Sequence, residues 1–403
     1  MEMDTDARTA DTGSDAPSTH WQEFAVRYSY PVVFTEALFA PGNPSLADAL
    51  RRLERDKRHR CLVFVDNGLL AARPALADEI AAYAGAHAAH MELVTAPLPV
   101  PGGERIKAEL HFVEQMQQAL YDHHIDRHSY VIAIGGGAVL DAVGLVASTT
   151  HRGVRHIRVP TTVLAQNDSG VGVKNGVNLY GQKNFVGSFA PPFAVLNDIA
   201  FIADLPARDK IAGMAEAVKV ALIRDGDFFA WLEGAADHLA TFAPAAMAPM
   251  IRRCAELHMH QIAHGGDPFE SGSARPLDYG HWSAHKLEAM TRNHLRHGEA
   301  VAIGIALDAR YSVLSGLLAA GEDERICCLL EHLGFKLWHP ALEKADGDGG
   351  LEVLAGLRDF QEHLGGELTI TLLAGIGQGL EVHAMDHDLV RQAIAWLKAR
   401  TSA

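Results

Sequence analysis

Tyr130-Val-Ile-Ala-Ile-Gly-Gly-Gly-Ala-Val-Leu-Asp-Ala-Val-Gly-Leu-Val-Ala-Ser-Thr-Thr150 is the stretch that decides the fold. It opens with a short apolar run of strand length, passes through Gly135-Gly136-Gly137, and continues as an apolar helical pattern from Ala138 to Thr150. Strand, glycine turn and helix in that order make a βα unit of a parallel sheet. Glycines let the backbone approach a pyrophosphate, and the helix that follows offers free N–H groups and the positive end of its dipole. A tight turn alone would also use glycines, so the placement between strand and helix is what carries the nucleotide-binding reading.

Upstream the same alternation continues. Phe24 to Phe34 reads as a strand pair, Ser45 to Arg55 as an amphipathic helix, and Arg60 to Val65 as a buried strand ending at Asp66-Asn67. Pro74 to His90 reads as helix and Met91 to Leu98 as strand, and Gly102-Gly103-Glu104 leads into a helix from Ile106 to about His123. Asp66, at a strand end, is either a ligand for ribose hydroxyls or a turn and cap residue.

Downstream, Val159 to Asn184 is dense in Thr, Asn, Asp, Lys and Gly, which suits polar side chains converging on a ligand. A β-hairpin turning at Asn175-Gly176 is the structural alternative, and Lys174 and Lys183 could serve anionic substrate oxygens from such a hairpin. After Leu205-Pro206 the pattern is mainly helical: Ala207 to Arg224, Gly226 to Leu239, Pro244 to His264, Tyr279 to Met290, Gly298 to Ser315, Glu322 to Leu333, Leu351 to His363 and His387 to Ala399. One short apolar strand, Leu368 to Leu373, interrupts them. The expected division is therefore a tail at 1–20, an α/β nucleotide-binding domain with a parallel sheet at 21–205, and a mainly α-helical domain at 206–403. The tail, rich in Asp, Thr, Ser and Ala, has neither the basic start nor the apolar middle of a signal peptide.

With 403 residues, 35 Lys plus Arg against 50 Asp plus Glu, and a net charge of −15, the chain is not a general binder of nucleic acid or anionic membrane. No apolar run reaches the roughly 18 residues a spanning helix needs. Four cysteines without a Cys-x-x-Cys spacing signal neither a disulfide framework nor a cysteine zinc site, and a reducing cytoplasm is the expected location.

Two features point to chemistry. In Gly213-Met-Ala-Glu-Ala-Val-Lys219, Glu216 and Lys219 sit in an almost wholly apolar helix, where charges need a metal, a ligand or each other. Spaced i and i+3, they share a face and can pair. His281 and His285, at i and i+4, have a spacing that chelates zinc, and His297 follows at the start of another apolar helix. Glu216 with two of these three histidines would make a two-His, one-carboxylate site with an open position.

These segments resemble the dehydroquinate-synthase superfamily of sugar phosphate cyclases. The resemblance rests on Gly135-Gly136-Gly137-x-x-x-Asp141, Arg152-Gly153-Val154-Arg155, Val159-Pro160-Thr161-Thr162, Asp168-Ser169, Lys174-x-x-x-Asn178, Lys183-Asn184, Gly213-x-Ala215-Glu216-x-x-Lys219, Gly280-His281-x-x-x-His285 and His297-Gly298-Glu299-Ala300-Val301. It runs in order through nearly the whole chain beyond the tail. It implies catalytic NAD and one zinc ion, with cobalt as the alternative metal. Asp66, Glu104, Lys107, Gly136, Gly137, Asp141, Thr161, Thr162 and Asp168 match NAD-binding positions. Glu216, His281 and His297 match the metal ligands, while His285 matches a substrate-phosphate or proton-transfer position. Lys174, Asn184 and Lys219 match substrate-binding positions. Lys183 and Asn184 are expected on the phosphate side, and Arg152 matches an arginine offered across a homodimer interface.

The departures bear on substrate. Asp278 stands where dehydroquinate synthases carry an asparagine, in Arg275-Pro276-Leu277-Asp278-Tyr279-Gly280-His281. His258 replaces a lysine that grips the substrate carboxylate, and Gln361-Glu362-His363-Leu364-Gly365-Gly366 replaces a lysine pair ahead of Gly-Gly. Fewer cations and an added carboxylate disfavour a carboxylate-bearing substrate. The pattern resembles the sedoheptulose 7-phosphate cyclases that form valiolone-type cyclitols. Their reaction combines transient oxidation by NAD, β-elimination of phosphate, reduction and intramolecular aldol closure. The rivals are a 3-dehydroquinate synthase, an iron- or zinc-dependent alcohol dehydrogenase of related architecture, and a non-catalytic NAD-binding relative.

Overall fold

A computed structural model describes residues 19–180, 182–270, 276–347, 349–363 and 366–401. Arg275, Leu364 and Gly365, on which part of the substrate argument rests, lie outside the described residues. The strands are β1 (Val32–Thr35), β2 (His59–Asp66), β3 (Met91–Leu93), β4 (Leu98–Val100), β5 (Tyr130–Gly135), β6 (Arg155–Pro160), β7 (Lys174–Leu179), β8 (Gln182–Phe189), β9 (Ala194–Asp198), β10 (Ile370–Gly375) and β11 (Gln378–Val382).

Seven strands form one sheet in the order β1-β9-β6-β5-β2-β3, with β4 also paired to β2. Every pairing in it is parallel. Such a sheet is covered on both faces, which is why β5 is buried at every position and β2 at nearly all. From β2 the chain moves outward to β3, and from β5 it moves the other way to β6, so the direction reverses between these two central strands. A crevice opens at the carboxyl ends of strands at such a reversal. The register Val65↔Ile134 sets Asp66 beside Gly135 at that crevice.

The expected β/α alternation stands, with local corrections. The Phe24 to Phe34 strand pair is one four-residue strand, Val32–Thr35. Trp21, Phe24, Val26 and Tyr28 are exposed, so their alternation has no face to bury. Met91 to Leu98 is two short strands, and the Ile106 to His123 helix breaks at Glu109, whose backbone is extended. The Pro74 to His90 helix is shorter, Leu76–Ala86. Asn175-Gly176 is not the hairpin turn; both residues lie within β7, opposite Ser188 and Gly187 of β8. The apolar strand near residue 370 is one arm of a second hairpin, β10 with β11.

Beyond Pro206 the helices enclose a core of their own, whose buried residues run from Ile202 to Leu397 with Val163 added from the α/β side. The helix Ala207–Arg224 is its axis, buried at every position from Ala212 to Ile223. Gly213 permits its approach to the sheet side, since a Cβ there would stand 2.5 Å from the Leu164 nitrogen and the Val163 Cβ. Among the described residues no helix is long and apolar enough to cross a membrane.

Candidate active site

The glycine turn forms a cradle at the crevice. Gly136 caps the helix Gly137–Thr149 with extended backbone, leaving the first N–H groups of that helix without intrahelical partners. A Cβ on Gly137 would press on the Ser169 hydroxyl at 2.6 Å, and one on Gly136 would meet the Thr162 methyl at 3.2 Å. Thr161 donates its N–H to the Gly135 carbonyl at 3.0 Å, which lays Thr161-Thr162 along the turn. Asp66 accepts from the Gly68 N–H at 2.8 Å as a helix cap, and its carboxylate fills the space a side chain on Gly102 would need.

Beside the cradle, Lys107 is buried and donates to Asp141 at 2.7 Å and to the Asn184 side-chain oxygen. Asn184 in turn donates its backbone N–H to Asn178 at 2.9 Å, and Asn178 donates to Glu104 at 3.0 Å. One network thus joins the glycine-turn helix, the Glu104 segment and the β7–β8 hairpin.

The second centre is carboxylate and imidazole. Glu216 is 1 % exposed, and its Oε1 has no hydrogen-bond partner among the described residues. Lys219 forms an ion pair with it on the same helix face, as the spacing implies. His297 Nε2 stands 3.4 Å and His281 Nε2 3.9 Å from Glu216 Oε1. The far nitrogen of each ring is held: His281 Nδ1 is 3.0 Å from the Tyr279 carbonyl, and His297 Nδ1 is 3.2 Å from Glu288. Glu288 also accepts from Lys183 at 2.6 Å. Outer partners of this kind turn the free nitrogens of metal-binding histidines toward the ion.

Electrostatics agree with that donor set. Burial disfavours ionised Glu216, yet Lys219 and the histidines outweigh it and lower its pKa. Burial likewise opposes the Lys219 ammonium, but Glu216 and Asp168 raise its pKa. Burial would depress His297, but Glu288 and Glu216 together raise it to about 10. Two carboxylates thus draw a positive charge to His297, and a divalent cation satisfies the same demand. Glu216, His281 and His297 offer donor atoms all within 4.8 Å of one another, which fits a metal ion.

His285, on the same helix as His281, belongs to a different group. Its donor atom clusters with those of Glu288 and His297, and the ring opens to the cleft. Packing, then His281 and His297, depress its pKa. Asp168, in a π-helical turn at Ala165–Ser169, pairs with His258 Nδ1 at 2.7 Å. Asp278 lies in a short 3-10 turn; burial raises its pKa, but His281, Lys174 and Lys219 outweigh this and hold it below the ordinary range. Lys174 reaches Glu270 at 2.6 Å.

Arg152 is not brought to this site. It lies exposed past the C-terminus of the helix Gly137–Thr149, with a left-handed backbone (φ 62°). The length of that helix separates it from the glycine turn by about 20 Å. Sequence reading singled out no role for Glu288, which the structure sets between His297 and Lys183, although its i+3 spacing from His285 was a visible signal.

Gly298, next to His297, has no room for a side chain, because a Cβ would overlap the Ala212 carbonyl oxygen on the Glu216 helix. Gly298→Ala is expected to push the helices that carry Glu216 and His297 apart and cost about 1–3 kcal/mol, read as a lower thermal unfolding midpoint.

The 3-dehydroquinate synthase N-terminal family model matches residues 97–212, and the 3-dehydroquinate synthase C-terminal model matches residues 213–352. The chain is similar to the structure of 2-epi-5-epi-valiolone synthase from Streptomyces hygroscopicus subsp. jinggangensis 5008 with NAD+ and Zn2+ bound. Identity is 30%, the TM-score is 0.83, and the match covers 94% of this chain and 100% of that one. It is also similar to 2-deoxy-scyllo-inosose synthase complexed with carbaglucose-6-phosphate, NAD+ and Co2+, at 24% identity and a TM-score of 0.72, over 91% and 96% of the two chains. A probable glycerol dehydrogenase from Sinorhizobium meliloti 1021, at 17% identity and a TM-score of 0.57 over 94% and 99%, shares the fold. With both family models matched in sequence order and one relative aligned over its full length, the chain belongs to the 3-dehydroquinate-synthase superfamily of sugar phosphate cyclases.

Proposed function

We propose that this enzyme converts sedoheptulose 7-phosphate to a valiolone-type seven-carbon cyclitol with release of phosphate, using NAD and one zinc ion. The observation that carries the choice of substrate is the pairing of His258 with Asp168 at 2.7 Å, together with Asp278 facing Lys174 and Lys219. A carboxylate-bearing substrate needs cations free to meet it; Lys174 and Lys219 already face carboxylates, and the His258 ring is held by Asp168.

Glu216, His281 and His297 would hold the zinc ion, and the cradle of Gly136, Gly137, Thr161, Thr162 and Asp168, with Asp66, Glu104, Lys107 and Asp141, would hold NAD. When bound, zinc supplies Lewis acidity toward substrate oxygens and NAD supplies reversible hydride acceptance. The protein's own share is positioning and charge. Lys219, held as an ammonium by Glu216 and Asp168, places fixed positive charge where substrate oxyanions develop. His285, kept unprotonated and open to the cleft, can accept a proton from a substrate hydroxyl or pass one to the departing phosphate. Lys183 and Asn184 bring cationic and amide donors from the hairpin to the phosphate side. Arg152, about 20 Å from its own glycine turn, can serve a site only in a second copy, which supports a homodimer.

The test is parallel assay of zinc-loaded protein and NAD with sedoheptulose 7-phosphate and with the dehydroquinate-synthase substrate. Phosphate release from the first alone, without net NADH and with a cyclitol product by mass, is the expected result. Release from the carboxylate-bearing substrate alone overturns the assignment and places the enzyme among the 3-dehydroquinate synthases.

A further inference from the structure

The helix His297–Leu314 carries one metal-ligand candidate at its first residue and, about three turns on, a buried carboxyl the chemistry above does not use. That carboxyl is Asp308, 0 % exposed. Its Oδ2 accepts the backbone N–H of Gly280 at 3.2 Å, and its Oδ1 accepts the indole N–H of Trp282 at 2.9 Å. These two donors flank His281. Among the described residues Asp308 has no ion-pair partner, so the charge serves these N–H groups alone.

The rest of the contact is equally close. Gly280 has a left-handed backbone (φ 77°), and a Cβ there would stand 2.8 Å from the Ile305 nitrogen. A Cβ on Gly304 would overlap the Gly280 carbonyl oxygen. His281 begins its own helix directly after this turn, with its ring aimed by the Tyr279 carbonyl.

The geometry points to Asp308 as a positioning residue for the metal site: it clamps both sides of His281 through Gly280 and Trp282, so that one helix sets the placement of both histidine ligands. This rests on the zinc reading of Glu216, His281 and His297. Among the described residues Asp308 makes no hydrogen bond or ion pair with His281 or His297 and acts on them through Gly280 and Trp282.

A second property separates positioning from mere stability. Burial raises the Asp308 pKa to about 7 against the two hydrogen bonds that lower it. A carboxyl whose pKa is raised on folding binds its proton more tightly in the folded state. Its contribution to stability is therefore full at low pH and is lost as pH rises toward the folded value. At pH 8 an ionised Asp308 costs folding stability, and an amide of the same shape relieves that cost while misdirecting one hydrogen bond, because its NH2 faces a donor. The two effects of Asp308→Asn are thus expected to have opposite signs.

The experiment compares purified wild type and Asp308→Asn at pH 8, measuring zinc affinity by competition with a chromophoric chelator and the thermal midpoint of the zinc-free proteins. The expected result is a zinc Kd raised about 10- to 100-fold, the scale of outer-partner loss at zinc sites, with an apo midpoint equal to or above wild type. An unchanged zinc Kd in the folded variant overturns the proposal. If Asp308→Asn does not fold, Trp282→Phe decides instead, since it keeps the carboxylate and removes one of its two donors; an unchanged Kd there overturns the proposal equally. Wild type that fails to retain zinc at all overturns the metal reading itself, an outcome distinct from a wild type that binds and a variant that binds equally well.

Discussion

Glu216→Ala is expected to abolish zinc retention and to lower phosphate release by about 10³-fold or more, since the loss of metal removes several kcal/mol of charge stabilisation. Glu216 is the only carboxylate in the triad with His281 and His297, and its Oε1 is buried without a hydrogen-bond partner among the described residues. Glu288 cannot take its place, because it is committed to His297 Nδ1 and Lys183. The substitution also takes from Lys219, an ammonium 3 % exposed, its ion-pair partner and leaves it only the carboxylates of Asp168 and Asp278, and breaking a buried pair costs up to about 3–5 kcal/mol. Two consequences must therefore be separated. Glu216→Ala combined with Lys219→Met removes that ammonium and is expected to recover much of the stability but none of the zinc. Metal content after dialysis and the thermal midpoint of both variants read the two effects apart. Wild-type zinc content in folded Glu216→Ala would sink the assignment of this carboxylate as a ligand.

How much of this was legible in the sequence depends on how local each interaction is. The helix around Glu216 could be read because its apolar residues run all round, and the Glu216–Lys219 pair follows from i,i+3 spacing. The glycine turn was equally plain, since strand, glycines and helix are contiguous. By contrast, Lys183 meets Glu288 across a sequence separation of 105 residues. His258 with Asp168, and Asp308 with Gly280 and Trp282, likewise bring together segments no pattern connects. The spacing of His281 and His285 favoured the two as joint ligands, because periodicity reports which face a residue occupies and not what stands opposite it. Opposite His281 stands Glu216, while His285 clusters with Glu288 of its own helix and with His297. The Asn175-Gly176 error has the same origin. That dipeptide is a strong hairpin-turn signal, but here Asn175 is buried and its side-chain oxygen accepts from Arg158 at 2.7 Å, so it sits mid-strand.

Arg158→Met is expected to be the most destabilising single change outside the metal centre, at about 3–5 kcal/mol. Arg158 lies on β6 with its side chain 0 % exposed, and it forms no ion pair among the described residues. Its guanidinium instead donates to the carbonyls of Ser169, Gly170, Gly172 and Lys174 and to the Asn175 side chain, over 2.7–3.4 Å. Burial works against its charge and lowers its pKa, with Asp141 and Tyr30 opposing. A planar fork of donors can satisfy acceptors spread along a loop in this way; a lysine ammonium in the same place cannot. The acceptors it joins run from Ser169 to Asn175, so the same group that stabilises the loop also fixes the spacing between Asp168 and Lys174. Methionine fills most of the volume but leaves those acceptors unpaired in a dry interior. The thermal midpoint should fall by about 5–15 °C, and amide exchange should quicken first across residues 169–175, because local opening follows the loss of local contacts. Arg152→Ala, removing an exposed arginine, is the control and should leave the monomer's midpoint within error. If Arg158→Met melts with the wild type and its loop amides keep their protection, the loop is held by Tyr30, whose hydroxyl donates to Val171 at 2.8 Å, and by the strand pairing of β7 with β8 instead.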